Sequence, residues 1–92
     1  MKFSDLEFRE RSTISGIQAT VHFDNGYGAS VVQGLGTYGE EQGLYEMAVL
    51  NANGLCYDTP ITDDVLGYLT EDDVSRILGE IEALPVAATG AA

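Results

Sequence analysis

Cys56 and His22 are the only cysteine and histidine in the chain, so a thiol–imidazole dyad is the one nucleophilic centre of that kind it could build. Both fall in segments that read as strands, and nothing in their spacing brings them together. Free cysteine is among the most buried residue types, so Cys56 reads as core and His22 as a polar-face residue. No serine sits in a nucleophile-elbow context. No residue is therefore assigned a catalytic role, and the expectation is that the protein is not an enzyme. One cysteine also excludes an internal disulfide framework and a four-thiolate zinc site. The acids dense enough to suggest a cation are Asp63, Asp64, Glu71, Asp72 and Asp73. Adjacent aspartates do not converge on one ion unless a loop folds them together, and helix-start acids account for Glu71, Asp72 and Asp73. Asp24-Asn25-Gly26 lacks the alternating ligands and closing Glu of an EF-hand loop. No metal and no cofactor is expected. Gly34-Leu35-Gly36-Thr37-Tyr38-Gly39 has GxGxxG spacing, but a dinucleotide site needs a βαβ unit around it, and Glu40 and Glu41 would repel a pyrophosphate. It reads as a flexible loop between strands, and such loops often bind.

Charge is the stronger chemical signal. Fifteen acidic residues face four basic ones, for a net charge of −11. Between Ser12 and Ser75 there are ten acids and no Lys or Arg; Lys2, Arg9 and Arg11 precede that stretch and Arg76 follows it. Such a field argues against direct contact with nucleic acid or an anionic membrane and favours a basic protein partner. The carboxylates expected to face that partner are Asp58, Asp63, Asp64, Asp72 and Asp73, joined by Glu40 and Glu41 if the loop folds over. Tyr38 and Tyr68 are candidate aromatic anchors among them, although amphipathic tyrosines at the rim of a small core are an equal alternative.

The elements that must position these groups are few. Ninety-two residues make one domain, expected over residues 1–84, with 85–92 a flexible tail after the helix-stopping Pro85. Ile17, Ala19, Val21 and Phe23 alternate with polar residues, the period of a half-buried strand. Asn25-Gly26 is a hairpin signal that returns the chain into residues 29–32. A strand over 44–50, a turn at 51–54, a short strand over 55–57 and an edge segment over 6–10 complete a meander of three to five strands. Thr70-Glu71-Asp72-Asp73 is a helix start with a capping-box spacing, its Asp73 one carbon shorter than the usual Glu. Val74, Ile77, Leu78, Ile81 and Leu84 form an apolar stripe at helical spacing, predicted to pack on Ile17, Val21 and alternate residues of 44–50. Residues 62–69 read as a short helical turn before it. The fold class is α+β, a small antiparallel meander packed by a C-terminal helix.

Two stretches carry a resemblance: residues 26–32 with 44–50, and the run Cys56-Tyr57-Asp58-Thr59-Pro60-Ile61-Thr62-Asp63-Asp64-Val65 within 55–70. Together they resemble a group of small acidic proteins of unassigned function encoded by bacteriophages and prophages. Anti-CRISPR proteins and DNA-mimicking anti-restriction proteins are similar in size and charge. The resemblance implies a non-enzymatic inhibitor in the host cytoplasm, bound to a nucleic-acid-handling defence complex, with its carboxylates standing in for DNA phosphates. The alternative is an accessory phage protein that binds another protein through its sheet face. With no apolar run of membrane-spanning length, no membrane association is expected. An open sheet edge would let two copies pair as a homodimer, against the opposition of the net charge.

Overall fold

The computed structural model describes residues 1–12 and 14–86. Of the tail expected over 85–92, residues 87–92 lie outside the described residues. The chain forms a six-stranded antiparallel sheet with one helix packed across it. The strands are β1 (Arg9–Glu10), β2 (Gly16–His22), β3 (Gly28–Gly34), β4 (Tyr45–Asn51), β5 (Gly54–Leu55) and β6 (Leu66–Leu69), and the helix is α1 (Glu71–Glu82). The order is β1-β2-β3-β4-β5, and β6 pairs with β4 beside β5. A one-turn 3-10 helix, Phe3–Asp5, precedes β1, and a second, Glu40–Gln42, lies in the β3–β4 connection.

The period of two in β2 decides which face is buried. Ala19 pairs with Val31 and Val21 with Ala29, so these side chains share the face on which Met47 and Val49 of β4 also lie. On that face Ala29, Val31, Met47, Val49, Cys56 and Leu69 meet Val74, Ile77, Leu78 and Ile81 of α1 in one core. Val21 packs at its margin, but Ile17, expected there, is not part of it. Ile17 shares the inner face, yet it pairs with Gln33 near the end of the β2–β3 ribbon, beyond the helix. The opposite face carries Gln18, Thr20, Ser30, Glu46 and Leu50 and is not covered by the helix; Gln18 Nε2 donates to Ser30 Oγ across it at 3.0 Å.

Helix ends and strand turns are tied to each other. Asp73 N donates to Thr70 Oγ1 at 3.1 Å while Asp73 Oδ2 accepts from Thr70 N at 3.0 Å, so the shorter acid closes the capping box. At the other end of α1 the hairpin residue Asn25 donates through Nδ2 to the carbonyls of Ile81, Glu82 and Leu84 at 2.8, 3.3 and 3.2 Å. Glu82 O is one of the carbonyls that a helix C-terminus leaves without an intrahelical partner, Ile81 O also accepts from Leu84 N at 3.1 Å, and Leu84 O lies just past the helix. Asn25 Oδ1 meanwhile accepts from Tyr27 N at 3.0 Å, so one side chain shapes the turn and caps the helix.

The α+β class and the antiparallel meander packed by a C-terminal helix are as expected; the sheet has six strands where three to five were expected, because residues 66–69, expected in a helical turn, are strand β6. Thr62 does make turn-type bonds, accepting from Asp64 N at 3.1 Å and donating to Asp64 O at 2.9 Å, but the turn closes there and no helix grows from it. At the outer edge, β1 pairs only with Ile17 and Gln18 of β2. Residues 19–22 consequently face no partner strand on that side among the described residues.

Candidate functional site

The site begins with the irregularity in β6. Tyr45 pairs with Leu69 and Met47 with Leu66, so two steps along β4 are matched by three along β6. The extra residue makes a β-bulge, a device that kinks a strand and re-aims a side chain. Leu66 and Leu69 both face the core, and Tyr68 is turned outward with 60% of its surface exposed. Its φ is +56°, the left-handed region that an L-residue enters at a cost of about 1–2 kcal/mol. It is the only non-glycine residue with positive φ among the described residues.

Tyr38, thirty positions earlier, lies against it. The two rings are stacked with centroids 6.3 Å apart and planes 25° from parallel, and Tyr38 is 57% exposed. Glycines make this approach possible. A Cβ on Gly67 would stand 2.6 Å from Tyr38 Cβ, and one on Gly39 would stand 3.0 Å from Tyr68 Cα. Gly39 also has φ +90° and starts the 3-10 turn that carries Glu40 and Glu41. Glu46 Oε1 accepts from Tyr38 N at 3.4 Å. Tyr38, Tyr68, Glu40 and Glu41, with Leu35 to Gln42 around them, line one surface concavity of about 320 Å³.

The other tyrosines sort differently. Tyr45 packs edge-on against Phe3 at 5.0 Å and beside Phe8 at 5.8 Å, and Tyr27 lies at the core margin. Both are structural. Tyr57 is 41% exposed and has no aromatic neighbour among the described residues.

The aspartates flank β6. Asp63 and Asp64 lead into it, and Asp72 and Asp73 follow it in the first turn of α1. A four-residue strand spans about 13 Å, the rise of roughly four nucleotides along one DNA strand. The ion pairs among the described residues are Met1 amino–Glu82, Arg76–Asp73 at 3.8 Å and Arg76–Glu80 at 2.8 Å. Among the described residues no Lys or Arg pairs within 4 Å with Asp58, Asp63, Asp64, Asp72, Glu40 or Glu41, and Arg11 Nη1 donates to the Leu35 carbonyl at 3.0 Å at the rim of the concavity. Three of the aspartates have local duties. Asp64 Oδ1 accepts from Val65 N at 2.7 Å, and Asp58 Oδ1 accepts from the Cys56 thiol at 2.9 Å. Asp73 is the capping acid, and its hydrogen bonds from Thr70, with Arg76 nearby, hold its carboxyl below the usual carboxylate range.

Cys56 and His22 do not meet. Cys56 belongs to the core, whereas His22, adjacent to inward-facing Val21, points to the other face. Their strand rows are separated by three strand spacings, roughly 14 Å. Burial, and then the hydrogen bond to Asp58, push the Cys56 thiol above its ordinary value, which disfavours the reactive thiolate. Burial and the charge of Glu71 push Tyr45 up as well. As pH rises past about 8.5 the unfolded thiol ionises before the folded one, so the unfolded state holds fewer protons and stability falls. Melting temperature is expected to decline above pH 8.5, with Tyr45 steepening the decline near pH 10 and beyond. In Cys56→Ala the first part of that decline should disappear; an equally steep loss between pH 8.5 and 9.5 would refute the assignment.

Among the described residues, no three His, Cys, Asp or Glu side chains are grouped to hold a metal ion, and no helix is long and apolar enough to cross a membrane. The GxGxxG run leaves β3 for a 3-10 turn and antiparallel β4, without the parallel βαβ unit of a dinucleotide site. The sequence does not single out Gly39, Gly67 or Glu46 as parts of the tyrosine cluster. Their roles follow from the bulge, and the only signal it leaves is glycine beside Tyr38 and beside Tyr68. No known protein family, curated protein or solved structure matches this chain.

Proposed function

We propose that this protein works by binding rather than by catalysis, as an inhibitor-type ligand for a basic protein surface of the kind that handles nucleic acid. The observation that carries this reading is the run of carboxylates on both sides of β6, unopposed by any described Lys or Arg apart from Arg76. The net charge of −11 supports it. Lys and Arg side chains that normally hold phosphates would meet Asp63, Asp72 and their neighbours instead. Opposite fields steer such partners together, so association is fast at low salt and is slowed by screening.

The experiment is a competition assay with proteins of the host nucleic-acid-handling machinery. The protein and nucleic acid should exclude each other, with affinity falling as salt is raised. Asp63→Asn with Asp72→Asn should weaken binding about 2- to 30-fold, at roughly 0.2–1 kcal/mol per exposed charge pair, while costing the fold no more than the roughly 0.3–1 kcal/mol that Asp72 gains at the start of α1. Affinity indifferent both to salt and to the double substitution would overturn the reading.

One observation favours a second reading, an accessory protein that docks through its sheet. Leu55 pairs with Leu50 on the uncovered face and is 59% exposed. If that face docks instead, Leu55→Asp abolishes binding and the acid substitutions do not.

A further inference from the structure

We propose that the concavity at Tyr38 and Tyr68 is a receptor for a single arginine side chain of the protein partner. This rests on the basic-partner reading above and names the group recognised. Two exposed tyrosines line one depression together with Glu40 and Glu41. At about 320 Å³ it is at the lower end of ligand-site volumes, suited to a side chain more than to a cofactor. Its chemistry is that of cation recognition. Ring faces attract a cation through their quadrupole, and carboxylates accept its N–H groups.

The chemistry of the ring faces favours guanidinium over ammonium. A planar group between two rings needs a separation of about 7 Å, twice the optimal carbon contact, and the ring centroids are 6.3 Å apart. The cation therefore lies over an outer ring face rather than between the rings. A flat, weakly hydrated guanidinium stacks on a ring face and keeps its fork of donors free for carboxylates beside it, and Glu40 and Glu41 line the same concavity. A lysine ammonium is a compact, strongly hydrated charge that gains less from the ring face. The cluster is also formed at a cost. Tyr68 is held outward in a left-handed conformation, and Gly67 and Gly39 supply the room for Tyr38 beside it. A solvent-exposed ring pair built this way contributes nothing to the core.

The test uses octa-arginine and octa-lysine peptides of equal charge, with binding followed by tyrosine ring NMR shifts. The parent should bind octa-arginine about two- to five-fold more tightly than octa-lysine, the gain expected of one exposed cation–π contact. Glu40→Gln with Glu41→Gln should weaken both peptides. Tyr68→Gly is the decisive variant. Glycine suits the left-handed backbone, so this protein should melt at the same temperature or higher, yet bind the two peptides equally. Equal binding of both peptides by the parent, or a preference that survives Tyr68→Gly, overturns the arginine receptor and leaves the basic-partner reading standing. Failure of the parent to bind either peptide overturns both.

Discussion

Leu78→Ala is expected to lose about 2–5 kcal/mol of stability, and Ile17→Ala less than about 1 kcal/mol. Leu78 is fully buried in α1, in the core formed with Ala29, Val31, Met47 and Val49. Truncation removes three carbons from a site walled by a sheet on one side and its own helix on the other. Neither wall can move in to refill it, and the lost dispersion contacts add to the lost burial. Ninety-two residues at roughly 0.05–0.15 kcal/mol each hold about 5–14 kcal/mol in total, so one such cavity removes a large share. The melting temperature should drop by about 10 °C or more. Ile17 is as apolar and its strand is as regular, but it lies outside the core cluster. Thermal melts of the two variants side by side decide the matter. Comparable losses would mean that the helix extends its cover to the end of the β2–β3 ribbon.

That contrast shows where sequence patterning stops being informative. Period two identifies Ile17, Ala19 and Val21 as one face of a strand, but the length of strand that α1 covers depends on where the helix crosses it. The helix itself is legible because its signals are local. Thr70 and Asp73 are three residues apart, and Val74, Ile77, Leu78 and Ile81 repeat at helical spacing. Strand β6 is illegible for the same kind of reason. Its bulge turns Leu66 and Leu69 to one side at a spacing of three, which is the spacing of a helix. Thr62-Asp63-Asp64 imitates the start of α1, so both cues point the wrong way. The Asn25-Gly26 turn is legible, but its cap on the last carbonyls of α1 is not, because the two are more than fifty residues apart. The site divides along the same line. Exposed acids can be read from composition and order. That Tyr38 stacks on Tyr68, and that Glu40 and Glu41 share their hollow, depends on a loop closing over a bulge.

Gly34→Ala is expected to cost about 2–4 kcal/mol, because the substitution strikes the point where β3 releases the loop that carries Tyr38. A Cβ built on Gly34 would stand 2.4 Å from the Ser15 carbonyl oxygen and 2.5 Å from Gly16 Cα. Both are backbone atoms of the paired strand and cannot rotate aside as a side chain could. Gly16 faces the converse problem, its own Cβ position lying 2.4 Å from the Gln33 carbonyl oxygen and 2.7 Å from Gly34 Cα. The two strands touch here through paired glycines, and relief requires the ribbon to open. Opening disturbs more than the pair. Leu35 N donates to Ser15 O at 3.0 Å, Gly34 N to Thr37 Oγ1 at 3.0 Å, and Thr37 Oγ1 to Gly34 O at 2.8 Å. Those bonds set the direction in which the loop leaves for Tyr38, Glu40 and Glu41. Gly79→Ala is the matching control. Gly79 is exposed within α1, with no atom within 4 Å of its Cβ position, so the methyl should raise stability by about 0.5–1 kcal/mol through helix propensity alone. Denaturant melts should therefore place Gly79→Ala above the parent and Gly34→Ala well below it. A Gly34→Ala protein as stable as the parent would mean that the strands separate at this end without penalty, and the loop would then lack the fixed base on which the tyrosine pair depends.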